Sequence, residues 1–397
     1  MKKRYASVAY GGMDVHRKFS SVTLRDAEGR VVVRERLDHE DRQKMRQHLR
    51  RWPAGTPLVM EASFGWPWVS DEVEAAGHRP RLSNCYKVEQ MRKARGQVKT
   101  NSKDADLLSM LPAEPTRWWE VWRAPPQVRD LREWMRHRAD LVILQTEVKN
   151  RVHALLARHG VFHPFSDLFG GQGRAFLRRL CEDGGHADGV LPPGALEAIR
   201  SDVRVLWTLR AELATITWRL RGRLKRDPLT RRLKTIPGIG LILAHVVASE
   251  VGVIERFRSH RALASYACLA PRSDDTGEPD PRRTPLGRHL GDRGNRTLKW
   301  AFVQAAHGAV RHGGRWRALF DRSTDGGTKN RGRAYVKVAR ELVKVLFVVW
   351  SKAMDYTETP PPRPGSRPAT RRRGVSCPGT GQPRVAMVEA QRPQTSL

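Results

Sequence analysis

The sequence predicts a protein that begins as an α/β domain and continues as a mainly α-helical chain. Strand-like and helix-like segments alternate over about the first 125 residues, which is typical of α/β domains. Two long helical patterns without internal breakers follow, and most of the remaining apolar segments also repeat with helical spacing. We therefore divide the chain into four parts: 1–125, an α/β domain; 126–228, a helical coiled-coil connector; 229–355, a helical C-terminal domain; and 356–397, a basic proline-rich tail that we expect to be disordered.

The first domain opens with three β-prone runs at residues 6–14, 19–24 and 31–37, the last two separated by the turn residues 26–29. Short runs around a glycine-containing turn predict a hairpin. The segments that follow predict further elements in this order: a helix at 41–51, a strand at 57–60, a helix at 66–76, a short strand ending at 82, a basic helix and loop at 87–99, and a helix at 104–111.

Two acidic residues come at the ends of predicted strands. Asp14 ends the first strand, and Glu61 follows the strand at 57–60. Hard cations such as Mg²⁺ prefer oxygen ligands, so these two carboxylates could share a metal ion. Acidic residues after strands also serve as caps of turns and helices, and spacing alone does not separate the two interpretations.

The charge of the chain indicates a polyanionic partner. Lys and Arg total 73 against 41 Asp and Glu, a formal net charge of +32. An excess of this size favours nucleic-acid binding, because guanidinium groups pair with phosphates in a forked geometry. The four cysteines are widely spaced and form no zinc-binding or disulfide pattern. No signal peptide is recognisable, and we expect a cytoplasmic, nucleoid-associated protein.

The connector is predicted from apolar residues that recur every seven positions between residues 126 and 160, and from a second helical pattern at 195–226. In the C-terminal domain, a Pro-Gly-Ile-Gly turn precedes an apolar helix. Gly238 and Gly240 would expose backbone N–H groups there, as in helix-hairpin-helix elements that bind phosphate. A simple helix–helix turn explains the same residues equally well.

A helix predicted at residues 259–268 leads into a loop with hydroxyl groups at Ser273 and Thr276, and a further helix begins near residue 294. A loop hydroxyl among arginines could attack a phosphodiester, with guanidinium groups stabilising the transition state. Loop Ser and Thr residues without catalytic roles are far more common. The arginines Arg272, Arg293 and Arg296 flank this region, and we predict that they contact nucleic acid.

The order and spacing of several motifs resemble the bridge-RNA-guided insertion-sequence transposases of the IS-one-ten family, whose N-terminal domain is a RuvC-like, RNase H-fold DEDD domain. The similarity runs over residues 8–350. The motifs are Gly12-Met13-Asp14, residues 59–62, residues 99–105, residues 150–155, residues 236–240, residues 263–272 and residues 294–296.

This resemblance implies four acids that bind Mg²⁺. The first two correspond to Asp14 and Glu61, and the fourth to Asp104. The third corresponds to Asn101, which keeps a carbonyl oxygen but removes one negative charge. Asp106 could compensate, although it points about 200° around the helix from Asp104.

The resemblance also implies a nucleophilic serine in the C-terminal domain. The matching position is Thr276, which carries the same hydroxyl with an added methyl group, and Ser273 is the alternative. We predict a DNA transposase whose subunits form a homo-oligomer, a dimer or tetramer, guided by a structured bridge RNA. Two alternatives remain: a RuvC-like nuclease that hydrolyses DNA without a covalent intermediate, and a degenerate copy that binds nucleic acid without catalysis. Tryptophans could stack on bases, and the candidates are Trp66, Trp68, Trp118, Trp119 and Trp122, although each is more often a core residue than a stacking residue.

Overall fold

The structure is a computed structural model that describes residues 2–96, 101–113, 120–182, 191–271, 290, 294–324 and 329–358. Its N-terminal part contains a mixed sheet with the strand order β3-β2-β1-β4-β5-β6. The strands are β1 Tyr10–Val15, β2 Phe19–Arg25, β3 Val31–Asp38, β4 Pro57–Glu61, β5 Arg79–Ser83 and β6 Glu120–Val121. β1, β2 and β3 pair antiparallel, β1, β4 and β5 pair parallel, and β6 closes the edge antiparallel to β5.

Four helices cover the two faces of this sheet: α1 Arg42–Leu49, α2 Trp66–Ala75, α3 Cys85–Ala94 and α4 Asn101–Met110. Met13 and Met60 pack on one face in a core that includes residues of α1 and α2. Val59 packs on the opposite face with residues of α3 and α4, such as Leu107. This three-layer arrangement confirms the predicted α/β organisation, because each strand alternates its side chains between two apolar layers.

The helix boundaries follow from local chemistry. Asp41 precedes α1 and its carboxylate accepts hydrogen bonds from the backbone N–H groups of Gln43 and Lys44. Asn84 caps α3 in the same way through the N–H of Lys87. Such side chains satisfy N–H groups that have no partner within the helix.

Two long helices confirm the amphipathic patterns of the middle region. α5 is Pro126–Arg158, α6 is Gly171–Glu182 and α7 is Pro193–Arg226. α5 and α7 run antiparallel, since Arg151 pairs with Asp202 at 2.6 Å and Arg219 lies over the ring of Trp134. Their buried residues belong to the same apolar core as the C-terminal helices, so the connector packs as part of that unit.

In the described C-terminal part, the regular elements are helices. Its helices are α8 Pro228–Leu233, α9 Leu241–Val251, α10 His260–Tyr266, α11 Arg296–His312, α12 Gly314–Thr324 and α13 Arg331–Ser351. α11 and α13 contribute fully buried apolar residues, including Phe302 and Leu342. The helix predicted at 259–268 is shorter than expected because Cys268 adopts a positive φ of 53°. Within the described ranges, no helix is long and apolar enough to cross a membrane. Residues 359–397 of the predicted tail lie outside the described part.

Candidate active site

Asp14 and Glu61 stand side by side at the ends of two parallel strands. β1 and β4 are in register with Met13 opposite Met60, so the next residue of each strand is one of the two acids. Side chains alternate along a strand, which places Asp14 on the same face as Gly12 and Glu61 on the same face as Val59. That face is the one covered by α3 and α4.

Gly12 brings α4 into direct contact with β1. A Cβ atom at Gly12 would lie 2.1 Å from the backbone nitrogen of Ser109 and 2.6 Å from the carbonyl oxygen of Ala105. No residue with a side chain fits in that space. The glycine inside the strand is therefore explained by the close approach of another backbone.

The direction of α4 across the sheet follows from two hydrogen bonds to β2. Ser109 accepts from Arg25 at 2.8 Å, and Asp106 accepts from Thr23 at 2.6 Å. Arg25 and Thr23 lie opposite Tyr10 and Gly12 of β1, respectively. The helix therefore runs antiparallel to β1, and its first turn points towards the end of the strand where Asp14 lies.

Asp104 belongs to that first turn of α4. It is 8% exposed and its carboxylate has no hydrogen bond or ion pair among the residues that the structure describes. The pKa of Arg92 on α3 is raised mainly by its hydrogen bond to Glu89, and the charges of Asp104 and Glu61 raise it further. Asp104 and Glu61 thus act on the same guanidinium group. A nearly buried carboxylate without a protein donor is a position where a cation or ordered water would supply the missing interaction.

Asp14 already has a partner in this conformation. His16 lies on the same chain two residues later, with Nε2 2.9 Å from Oδ2 of Asp14. Across the described ranges, no three His, Cys, Asp or Glu side chains are close enough together to hold a metal ion as they stand. Asn101 is the first residue of α4, but its side chain lies outside the described part. The donors suit a hard divalent cation, and binding one would require their side chains to turn towards each other.

Asp106 is not available to replace the missing third acid, whose position Asn101 occupies. Its carboxylate accepts hydrogen bonds from Thr23 and from Arg34, whose nearest nitrogen is 2.8 Å away. Burial raises the pKa of Asp106. The hydrogen bonds from Arg34 and Thr23 and the charge of Arg34 together lower the pKa by more than burial raises it, so the net shift is downwards. Asp106 serves to fasten α4 to the hairpin of β2 and β3.

The predicted nucleophiles Thr276 and Ser273, and the predicted contacts Arg272 and Arg293, lie outside the described residues. The two ends of their segment are described. Pro271 forms an antiparallel bridge with Leu290. A Cβ atom at Gly294 would lie 2.5 Å from the carbonyl oxygen of Tyr266, so the chain returns tightly against α10. Arg296 follows at the start of α11 and is exposed.

The Pro-Gly-Ile-Gly turn connects α8 to α9. Gly238 has a φ of +84°, and a Cβ atom there would lie 2.0 Å from the carbonyl oxygen of Ala305 on α11. Packing against α11 thus accounts for Gly238 without a bound phosphate. Gly240 is exposed at the start of α9 and no side chain caps that helix.

The tryptophans selected from the sequence are mostly structural. Trp66 and Trp68 pack against the N-terminal core. Trp122 contacts Gly252, where a Cβ atom would lie 2.2 Å from its ring, and the guanidinium carbon of Arg256 lies 4.7 Å from the centre of that ring. Trp118 and Trp119 lie outside the described residues.

Three residues that contact or support the candidate site were not predicted from the sequence. His16 is not among the predicted site residues, although its position two residues after a strand-end acid is a usable signal. Arg92 is recognisable only after α3 has been placed over the sheet. Glu250, which is 1% exposed and pairs with Arg132 and Arg136 of α5, gave no signal within its apolar helix.

Comparisons with known proteins identify two matching regions of the chain. A DEDD transposase family model matches residues 11–160, and a model described as "Transposase IS116/IS110/IS902 family" matches residues 230–321. A "Probable family 20 transposase" of Pseudomonas aeruginosa is 27% identical over 302 residues, covering 76% of this chain and 83% of the relative.

Two further relatives match over similar lengths. The "Transposase for insertion sequence element IS1328" of Yersinia enterocolitica is 25% identical, covering 74% of this chain and 82% of the relative. The "Insertion element IS116 uncharacterized 44.8 kDa protein" of Streptomyces clavuligerus is 26% identical, covering 71% of this chain and 76% of the relative.

Proposed function

Since the chain belongs to the IS116/IS110/IS902 family of transposases, we propose that it cuts and rejoins DNA with an acidic site on the N-terminal sheet and a hydroxyl nucleophile in the C-terminal domain. The observation that supports this most is the placement of α4. Through Gly12 and two hydrogen bonds to β2, the turn that carries Asp104 is directed to the strand ends that carry Asp14 and Glu61.

We assign Asp14, Glu61 and Asp104 as the carboxylates that hold a divalent metal ion, with Mg²⁺ as the proposed ion and Asn101 as a further oxygen donor. A bound divalent ion stabilises the attacking and leaving oxygens of a phosphodiester displacement. The mixed sheet, with acids at the ends of two central parallel strands, supports the RuvC-like assignment.

We assign the covalent step to the hydroxyl group of Thr276, with that of Ser273 as the alternative. The hydroxyl oxygen attacks the phosphorus, a new ester bond forms, and the bond to the leaving deoxyribose oxygen breaks. The hydroxyl proton is lost and the leaving oxygen gains one, so the charge on the phosphate is unchanged. The resulting protein–DNA ester preserves the energy needed for rejoining. Acid site and nucleophile would come from different subunits of a homo-oligomer.

A structured RNA is the proposed guide. Base pairing would then select target and donor DNA, and the protein would need to recognise mainly backbone and shape. The net charge of +32 supports contact with such polyanions.

The decisive experiment combines the full-length protein with plasmids carrying the element ends and target, the RNA transcribed from the element, and Mg²⁺. Recombined product with a protein–DNA adduct is expected from the wild type, and none from the double variant Thr276→Ala, Ser273→Ala. Product from that double variant would disprove the nucleophile assignment. Cleavage without an adduct would favour the hydrolytic nuclease. Complete inactivity that Asn101→Asp reverses would favour a degenerate copy.

A further inference from the structure

The last third of α7 presents an unusually exposed aromatic side chain within a basic groove. Trp218 is 73% exposed, although it lies on a helix whose other face is packed against α5. The groove has a volume of about 600 Å³. Its lining consists of Trp134, Trp218, Arg219, Arg221, Gly222, Arg223, Lys225 and Arg226, and we call it the Trp218 groove.

The charge of the Trp218 groove is entirely positive. Five of its eight lining residues are cationic and none is acidic. None of those five forms an ion pair with an acid in the described ranges. The Nε atom of Arg223 is buried and has no hydrogen-bond partner there. Arginine donors left without a carboxylate are suited to phosphate oxygens, which accept their forked hydrogen bonds.

The two rings of the groove differ in their roles. Trp134 is partly buried in the core, and the guanidinium carbon of Arg219 lies 5.7 Å from its ring centre. Trp218 has neither a cation over its ring nor a described ring partner, and its indole face is open to solvent. An open indole face stacks on any nucleobase, whatever the sequence.

Helical spacing aligns the ring with the cations. Trp218, Arg221 and Lys225 are separated by three and four residues, so they share one face of α7. Gly222 lies between them, and a Cβ atom there would meet nothing within 4 Å. Packing therefore does not explain why residue 222 is glycine, a residue that weakens the interior of a helix. Its absence of a side chain leaves open space on the groove surface beside Trp218.

We propose that the Trp218 groove binds an unpaired segment of a nucleic acid, with one base stacked on Trp218 and neighbouring phosphates paired with Arg221 and Lys225. This rests on the proposed function and names the surface that would hold a single-stranded part of its substrate or guide. A base inside a duplex has no free face for the indole, so stacking requires an unpaired segment. Five cations that form no ion pair with a described acid line this groove, and they argue against an apolar protein partner.

The test is equilibrium binding of the full-length protein to fluorescent oligonucleotides, measured by anisotropy at several salt concentrations. The probes are single-stranded oligodeoxythymidine and oligouridine of about twelve nucleotides and a duplex of equal length. Trp218→Ala should weaken binding of the single-stranded probes about tenfold. Trp218→Phe, which keeps a ring, should restore most of that loss. Duplex binding should be unchanged in both variants.

A matched control removes an exposed aromatic elsewhere. Phe162 is 90% exposed in the segment between α5 and α6, and Phe162→Ala should leave all three affinities unchanged. The double variant Arg221→Ala, Lys225→Ala should reduce the slope of log affinity against log salt by about 1.4 for the single strands, since about 0.7 is contributed per phosphate contact. The stronger of the two single-stranded probes identifies whether DNA or RNA is the preferred occupant.

Two results would overturn the proposal. If Trp218→Ala binds single strands as tightly as Phe162→Ala, the groove is not the binding surface, although nucleic-acid binding by the wild type would leave the proposed function intact. If Trp218→Ala instead changes the oligomeric state in light scattering and leaves affinity unchanged, the groove is a contact between copies of the chain. Failure of the wild type to bind any probe would contradict the proposed function itself.

Discussion

Asn295 donates a hydrogen bond of 2.7 Å from its side-chain nitrogen to Oε2 of Glu250. The same asparagine caps α11 through the N–H of Leu298, and its own N–H bonds the carbonyl of Tyr266. Glu250 also pairs with Arg132 and Arg136 of the connector. The buried carboxylate of Glu250 on α9 therefore holds two other parts of the chain in place. One is α5, and the other is the chain around Asn295, which comes after the segment that carries Thr276 in the sequence.

Removing this carboxylate should destabilise the protein strongly. Glu250→Ala leaves the partly buried guanidinium of Arg132 without its counter-charge and the side chain of Asn295 without its acceptor, and we expect a loss of about 3 kcal/mol in the free energy of unfolding. Chemical denaturation of the wild type and the variant measures this loss in the free energy of unfolding. The control Asp202→Ala removes a surface partner of Arg151 and should cost less than about 1 kcal/mol. Equal effects of the two variants would show that the Glu250 network adds nothing specific.

Gly12 should tolerate no side chain. Gly12→Ala places a Cβ atom 2.1 Å from the nitrogen of Ser109, which forces α4 away from β1 and moves Asp104 from the strand ends. We expect loss of recombination and a lower unfolding temperature. Gly194→Ala, at the start of α7, meets nothing within 4 Å and should be neutral or slightly stabilising. A fully active Gly12→Ala protein would refute the assigned role of α4.

Asp106 should contribute stability that depends on pH. Its folded-state pKa is lowered, so its contribution is present above the unfolded pKa of about 3.8 and is lost as the pH falls towards and through the folded value. The stability difference between wild type and Asp106→Asn should therefore be largest near neutral pH and vanish in acid. Unfolding of both proteins between pH 2 and 7 tests this. A difference that stays constant with pH would rule out the ion pair with Arg34 as its source.

Asn101→Asp should restore the missing charge of the acidic site. We expect tighter binding of a divalent cation, because each added carboxylate increases the attraction for a hard cation. Isothermal titration with Mn²⁺ measures the change. Ser102→Asp adds the same charge at the next position of α4 and serves as the control. If both variants gain affinity equally, the effect is general electrostatic attraction and not coordination by residue 101.

The sequence allowed the sheet and its acids to be predicted because their signals are local. Strand-end placement of Asp14 and Glu61 follows from short apolar runs, and the parallel pairing of β1 with β4 then makes them neighbours. The position of α4 depends on contacts between Gly12 and Ser109, which are almost a hundred residues apart, and periodicity carries no information about them. The Gly11-Gly12 pair inside a strand was the one available sign of a close backbone approach.

The second half of the chain shows the same limit. Long amphipathic patterns predicted α5 and α7 nearly to their ends, since apolar periodicity is strongest in long helices. The role of Glu250 could not be predicted from the sequence, because its partners Arg132 and Asn295 come from two other helical segments. Trp66 and Trp68, which the sequence favoured as core residues over stacking residues, do pack against the core. Trp218 is the most exposed tryptophan among the described residues, at 73%, and composition cannot distinguish these cases.

The central claim is that Asp14, Glu61 and Asp104 together hold a divalent cation. The most direct measurement is isothermal titration of Mn²⁺ into the full-length wild type and into Asp14→Asn, Glu61→Gln, Asp104→Asn and the control Asp202→Asn, which changes an acid on α7. We predict saturable binding by the wild type and by Asp202→Asn, and at least about tenfold weaker binding by each of the other three variants, as loss of a charged ligand requires. Unchanged affinity in those three variants would contradict the account.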